Sequence, residues 1–429
     1  MKTANSSTKA LTILHLLMGD YHPRNFAVRL WDGRQWPAET GLPAFTLIFN
    51  HPHALRSLLQ SRGSDLAISE SYIRGELDLE GDIEAAMPLG KYLSDHYWPI
   101  STTLRIAWNG FRPSVNGGSK RNGQRPAMLS GELHSIERDR QAIAYHYDVS
   151  NDFYALWLDQ QMVYSSAYFE TDEEDLDTAQ TRKLDYLCRK LRLRPGERVL
   201  DIGCGWGGFA IYAARHYHVQ VLGITLSQNQ ADLANQRIAQ AGLQNQCRVE
   251  LRDYRSLNEL AGFDKLVSVG MFEHVGEDKL PLYFQHAYEL LRTGGIFLNT
   301  GIALRVNESK PKGPNFMSRY VFPDGDLVPI NATLRFAEAV GFEVRDVESL
   351  REHYAATLRH WARRLEQHRG QALAAVGEPT YRVWRLYLRG SIYGFVSGAL
   401  NLYQVLLVKP DQGRSGLPLK RSDWYRDNR

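Results

Sequence analysis

The stretch Glu197-Arg-Val-Leu-Asp-Ile-Gly-Cys-Gly-Trp-Gly-Gly208 decides the fold. A short apolar strand ends on an acid, Asp201, and runs into a glycine-rich turn that opens a helix. Asp201, Gly203, Gly205, Gly207 and Gly208 let a ligand come close to the backbone at a helix N-terminus, where free N–H groups point outward. The spacing Gly-x-Gly-x-Gly-Gly differs from the Gly-x-Gly-x-x-Gly of dinucleotide-binding loops. Outward from this stretch, strands and helices alternate: 198–202, helix, 219–225, helix, 247–253, 265–270, a helix from about 278 to 292, and the strand 295–300. That order predicts a doubly wound α/β sheet, whose ligands bind beyond the carboxyl ends of the strands.

Asp-x-Gly-x-Gly after a strand resembles the S-adenosylmethionine (SAM) loop of class I methyltransferases. The carboxyl-end rule then selects further residues. The second strand closes in Gly223-Ile-Thr-Leu-Ser-Gln-Asn-Gln230, where Thr225, Leu226 and Gln230 meet the ribose or amino-acid part of SAM. No acid stands there to hold the ribose hydroxyls. Asp253 and Tyr254 end the third strand, placed for an adenine amine and its face. Each has a plainer alternative: Thr225 and Ser227 fit as caps of the next helix, and Asp253 as a turn cap. Cys204, between two loop glycines, reads most simply as a small packing residue.

Composition frames this reading. A chain of 429 residues holds two domains with a substantial core. A net charge of +3 gives no pointer to nucleic acid. Cys188, Cys204 and Cys247 have neither metal-ligand nor disulfide spacing, so no metal and a reducing, cytosolic compartment are expected. No run reaches the 18 or so apolar residues of a membrane span. Residues 10–18 imitate a leader peptide but lack a small-residue cleavage site and include His15; an amphipathic N-terminal helix is expected instead. Residues 113–126 hold few apolar side chains and several breakers. The expected organisation is an N-terminal lipid-associated α+β domain (1–112), a linker (113–130) and a SAM-dependent catalytic domain (131–429).

Further segments carry a family resemblance: Tyr145-His-Tyr-Asp-Val-Ser-Asn-Asp-Phe-Tyr154, Met162-Val-Tyr-Ser-Ser-Ala-Tyr-Phe169, Val267-Ser-Val-Gly-Met-Phe-Glu-His-Val-Gly276 and Arg319-Tyr-Val-Phe-Pro-Asp-Gly325. With the SAM loop they resemble the cyclopropane-fatty-acid synthases, in order, over residues 135–408. The resemblance implies SAM-dependent methyl transfer to a cis double bond of a phospholipid acyl chain, a carbocation on that chain, and proton loss that closes a cyclopropane. It places Tyr164 and Ser165 on SAM. It also implies a bound bicarbonate as base, held at positions that are Glu273, Ile302 and Tyr354 here. Ser166 and Thr300 replace the family's cysteine and histidine, which makes the anion site weaker. A protein base, Glu273, is then the candidate, and a methyl-branched or methylene chain the alternative product. His274 is expected to point away if its segment is extended.

Residues 358–367 and 381–397 read as helices, with Arg382, Arg385 and Arg389 on one face and Arg359, Arg363 and Arg364 near Trp361. These faces meet anionic headgroups, or are solvated faces of ordinary helices. The stretch 92–108 shares that basic-aromatic character. The partners expected are unsaturated phospholipid chains at the inner face of the membrane, with a homodimer implied by the resemblance. A SAM- or lipid-binding protein without chemistry is the competing class.

Overall fold

A computed structural model describes residues 2–60, 64–95, 125–257, 261–308, 310 and 313–425. The expected basic-aromatic stretch beyond Asp95 and most of the expected linker, 113–124, lie outside the described residues. The chain forms two compact units. One comprises Met1–Pro126, Ser309–Val321 and Val376–Tyr393; the other comprises Ala127–Glu308, Phe322–Ala375 and Gly394–Arg429.

In the first unit, the helix Lys2–Met18 buries Ala10, Ile13, Leu14, Leu17 and Met18, the three-and-four spacing of one helical face. That stripe joins a core with strands β1 (Phe26–Arg29), β2 (Gln35–Trp36), β3 (Phe45–Phe49) and β4 (Leu77–Gly81). The sheet order is β2-β1-β3-β4, and the Phe26 and Phe45 rings stack 5.0 Å apart across β1 and β3. Arg382 and Arg385 belong to this unit. Arg382 pairs with Asp78 at 2.8 Å and donates to the Tyr72 carbonyl at 3.1 Å; Arg385 donates to the Tyr72 hydroxyl at 2.9 Å. Both guanidinium groups are therefore engaged inside the unit instead of forming an open cationic face.

The second unit is built on seven strands: β5 (Arg198–Ile202), β6 (Gln220–Thr225), β7 (Cys247–Leu251), β8 (Phe263–Val269), β9 (Leu291–Leu304), β10 (Glu343–Ser349) and β11 (Leu400–Val408). Their order is β10-β11-β9-β8-β5-β6-β7. Only β11 runs against its neighbours. Alternation along the central strands feeds two cores, one on each face. Val199, Val221, Val249 and Val267 pack on one side, and Leu200, Ile202, Leu222, Ile224 and Leu266 on the other.

Strand β9 is longer than the expected 295–300, and β10 and β11 extend the sheet beyond it. The helix Arg351–Gln367 starts seven residues before the expected 358. The following helix, Arg369–Val396, is interrupted at Gly377, whose φ of 78° and ψ of 164° are not helical. After β5 the amides of Gly203 and Cys204 both donate to the Ile224 carbonyl at 3.0 Å, which turns the chain sharply. Gly207, at φ 77°, then caps the helix Gly208–Tyr217.

Candidate active site

The carboxyl ends of β5, β6, β7 and β8 open on one cleft with about 1110 Å³ of empty space, part of it open to solvent. All eleven residues selected for the cofactor line it: Tyr164, Ser165, Asp201, Gly203, Cys204, Gly205, Thr225, Leu226, Gln230, Asp253 and Tyr254. Gly203 has φ 78°, and a Cβ there would stand 2.7 Å from Cβ of Met271, so the backbone is bare by necessity. At Gly205 a Cβ would meet nothing within 4 Å, leaving the turn open.

The plainer alternatives also have structural counterparts. Ser227 caps the helix Gln228–Gln240, its Oγ accepting from the Gln230 amide at 3.1 Å. Thr225 accepts from the Ser227 amide at 3.2 Å and shares a 2.6 Å hydrogen bond with Gln230 Oε1. Asp253 is taken up by Arg255, whose amide and Nε donate to Oδ1 at 2.8 Å and whose Nη2 donates to Oδ2 at 2.6 Å. A Cβ on Gly223 would lie 2.8 Å from Cys204 Sγ, so this thiol packs across β6. Burial drives its pKa well up, and it remains a neutral thiol.

Four charged residues that line this cleft, Asp139, Lys183, Arg252 and Arg255, were not singled out from sequence. Arg255 also donates to Asp139 at 2.9 Å and to the His134 carbonyl at 2.9 Å, which ties the end of β7 to the helix Ile136–Tyr147. That helix presents Asp139, Ile143 and Tyr147 to the cleft and is fastened again by Arg138 to Asp324 at 2.6 and 3.0 Å. Lys183, on the helix Leu176–Leu191, is buried at the β5 end and donates to Ser165 Oγ at 3.0 Å. Burial raises the Asp201 carboxyl, against the pull of Lys183, and lowers the Lys183 ammonium, against the pull of Asp159 and then Asp201.

His274 departs from expectation. Phe272–His274 is a turn of 3-10 helix rather than extended chain, and His274 lines the cleft. Its ring lies 6.3 Å from Tyr147 and 5.6 Å from Phe322. Burial holds its pKa down at about 4, so the imidazole is neutral at pH 7.

Beside the cleft, Glu273 is 8% exposed and accepts from the Ile302 amide at 2.7 Å through Oε1. Among the described residues its buried Oε2 has no partner, nor has Oγ1 of Thr300 two residues before Ile302 on β9. Burial pushes the Glu273 carboxyl up to about 7, against the opposing pull of the Ile302 amide. Ser166 is buried, its Oγ donating to the Ala167 carbonyl at 3.0 Å. The Ala167 amide in turn donates to Thr357 at 2.9 Å, on the helix that carries Tyr354. The Tyr354 ring lies 4.7 Å from Phe395 and 6.0 Å from Trp361, and Trp361 lies 5.2 Å from Tyr164. One aromatic wall thus runs from the cofactor cleft to Tyr354.

Residues 134–405 match the family described as mycolic acid cyclopropane synthetase, and residues 13–89 match a domain of unknown function. This chain belongs to the mycolic acid cyclopropane synthetase family. A probable fatty acid methyltransferase of Pseudomonas putida is 42% identical over 403 residues, 93% of this chain and 96% of the relative. Cyclopropane mycolic acid synthase 1 of Mycobacterium tuberculosis is 37% identical, over 62% of this chain and 95% of its own length. Among solved structures, mycolic acid cyclopropane synthase CmaA1 complexed with SAH and CTAB is 35% identical, with a TM-score of 0.59 over 62% of this chain and 97% of that one.

The enzyme is accordingly a SAM-dependent methyltransferase of class I fold, and its cofactor is SAM. The cleft suits that molecule. A bare glycine turn accommodates close contact at the end of β5. The half-buried to buried aromatic and polar groups at the ends of β6 and β7 lie in the same cleft, spaced along it by adjacent strands.

Proposed function

We propose that the enzyme transfers a methyl(ene) group to the cis double bond of an unsaturated acyl chain in membrane phospholipid, forming a cyclopropane ring. The observation that carries this reading is Glu273, buried at the edge of the cofactor cleft with one oxygen held by Ile302 and the other without a partner among the described residues. Bound SAM supplies an electrophilic methyl group. Attack by an alkene leaves positive charge on the chain, and in a dry site that charge needs aromatic faces or a carboxylate nearby. Tyr354, Trp361 and Tyr164 provide the faces. Ring closure then requires loss of a proton from the new methyl, and a carboxylate whose pKa lies near 7 is suited to take it.

A second reading rests on Ser166 and Thr300. The Thr300 hydroxyl can donate to a bicarbonate ion, and so can that of Ser166 if it turns from the Ala167 carbonyl, with Glu273, Ile302 and Tyr354 as the ion's other neighbours. Neither supplies an imidazole. If neither the anion nor Glu273 takes the proton from the new methyl, loss of a different proton gives a methylene or methyl-branched chain. The lipid class draws support from relatives named fatty acid methyltransferase and cyclopropane mycolic acid synthase. No helix among the described residues is long and apolar enough to cross a membrane. We place the enzyme peripherally at the cytoplasmic face, with residues 1–112 assisting lipid binding and a homodimer as its assembly.

The test is incubation of purified enzyme with SAM and vesicles of cis-monounsaturated phospholipid, followed by mass spectrometry and proton NMR of the acyl chains. Upfield cyclopropyl protons are expected. Vinylic or branched-methyl signals at the same mass gain would show that the cation loses a different proton and that the ring does not close. No methylation, with SAM binding intact, would reject this lipid as substrate.

A further inference from the structure

We infer that Lys183 anchors the carboxylate of the cofactor's methionine end, with Ser165 aiming its ammonium group. The inference rests on the SAM cofactor and not on the choice of lipid.

The helix Leu176–Leu191 buries Ala179, Gln180, Lys183, Leu184 and Leu187 along one face. A lysine in the middle of that stripe is only 3% exposed, with the Asp159 and Asp201 carboxylates acting on it, and such a group is retained where anions or strong acceptors meet it. Among the described residues its hydrogen-bond partner is Ser165 Oγ, at 3.0 Å. An ammonium has three donors, so that bond leaves capacity for an acceptor in the cleft, which Lys183 lines. Gln180, one turn earlier, donates to the Val163 and Ser165 carbonyls at 3.3 and 2.8 Å. The same helix therefore fixes both the hydroxyl and the backbone of the segment that precedes Ser166.

The cleft's charge is divided between its ends. At the end of β7 Arg255 is shared between the Asp253 and Asp139 carboxylates. At the β5 end stand Asp201 and Lys183, an acid and a cation with no hydrogen bond between them among the described residues. A free amino acid carries both an ammonium and a carboxylate, and this pair offers one complement to each.

The test compares the affinity of wild-type and Lys183→Met enzyme for S-adenosylhomocysteine and for 5′-methylthioadenosine, by calorimetry. The second probe keeps the nucleoside and sulfur but lacks the amino-acid head. Loss of a charge-assisted hydrogen bond weakens S-adenosylhomocysteine about tenfold or more and leaves methylthioadenosine within about twofold. An equal loss for both probes, or no loss for either, would overturn the assignment. Lys183→Gln, neutral and of similar reach, provides the same comparison if the methionine variant does not fold. Decarboxylated SAM isolates the carboxylate: its affinity should be unchanged by either substitution, and a tenfold drop would move the role of Lys183 from the carboxylate to the fold.

Discussion

The Ile302 amide donates to Glu273 Oε1 at 2.7 Å across 29 positions of sequence, while the buried Oε2 of the same carboxylate has no partner among the described residues. A strand of the sheet thus holds the acid in place by its backbone while one oxygen stays available for chemistry. Substitution of this residue should separate catalysis from binding. Glu273→Gln keeps an acceptor for Ile302, so we expect SAM affinity within about twofold of wild type and a fall in kcat on the order of a hundredfold or more. Calorimetry and product formation on the same preparation check both halves.

The same carboxyl makes stability depend on pH. Its folded value, about 7, lies above the ordinary 4.5. Between those values the folded enzyme binds more protons than the unfolded chain, so this group's contribution falls as pH rises through that window. Glu273→Gln should therefore melt above wild type at pH 8, and the difference should shrink towards pH 4. Activity runs the other way, rising with pH through about 7 as the base ionises. Melting curves at both pH values and a pH–rate profile are the measurements.

Restoring the family pattern addresses the anion. The double substitution Ser166→Cys with Thr300→His should raise the yield of cyclopropane and make the rate respond to added bicarbonate, if the anion serves as base. An unchanged rate with and without bicarbonate would assign the proton to Glu273.

Gly301 lies between Thr300 and Ile302, and a Cβ there would fall 1.7 Å from Cε1 of Phe272. Gly301→Ala must displace that ring, and with it the neighbouring Glu273. A shift of about 1 Å in a reacting group costs on the order of a hundredfold in rate. Gly301 does not line the cofactor cleft, so kcat should drop while the dissociation constant for SAM stays close to wild type.

Lys190, fully buried, pairs with Glu348 at 2.6 Å and Asp346 at 3.2 Å and donates to Gln404 at 3.2 Å. These contacts join the helix Leu176–Leu191 to β10 and β11. Lys190→Met leaves Glu348 without its cation, while Asp346 keeps Arg421, and breaking a buried pair in this way costs about 3–5 kcal/mol. Urea unfolding at pH 7 should report a loss of that size.

The central sheet was legible because its cofactor turn is made of consecutive residues whose backbone demands only glycine can meet. Strand ends then nominated Thr225, Gln230, Asp253 and Tyr254, and all of them reach one cleft. What adjacency could not convey was which side chains satisfy one another. Arg255, two positions after Asp253, occupies the carboxylate that the strand-end rule offers to a ligand. Lys183 had a readable signal, a charge inside the stripe 179, 180, 184 and 187, but a lone lysine in a helix is usually solvated. Strand β11 lies between two others and is buried on both faces towards its end, so residues 405–408 read as a plain apolar run with no alternation. The Glu273–Ile302 bond closes a loop too long for any local pattern, and only family resemblance paired the two.

The interleaved path of the chain decides where it can be cut. The compact body that holds the N-terminal sheet also takes in Ser309–Val321 and Val376–Tyr393. A catalytic fragment begun at residue 127 would retain both stretches and lose what they fold against: Asp78 and the Tyr72 groups for Arg382 and Arg385, Asp65 for the Phe316 amide, and Glu70 for the Tyr320 hydroxyl. The seam that a linker advertises is therefore not a place for scissors. A soluble minimal enzyme calls for replacing those two excursions with short connectors, or for keeping the whole chain.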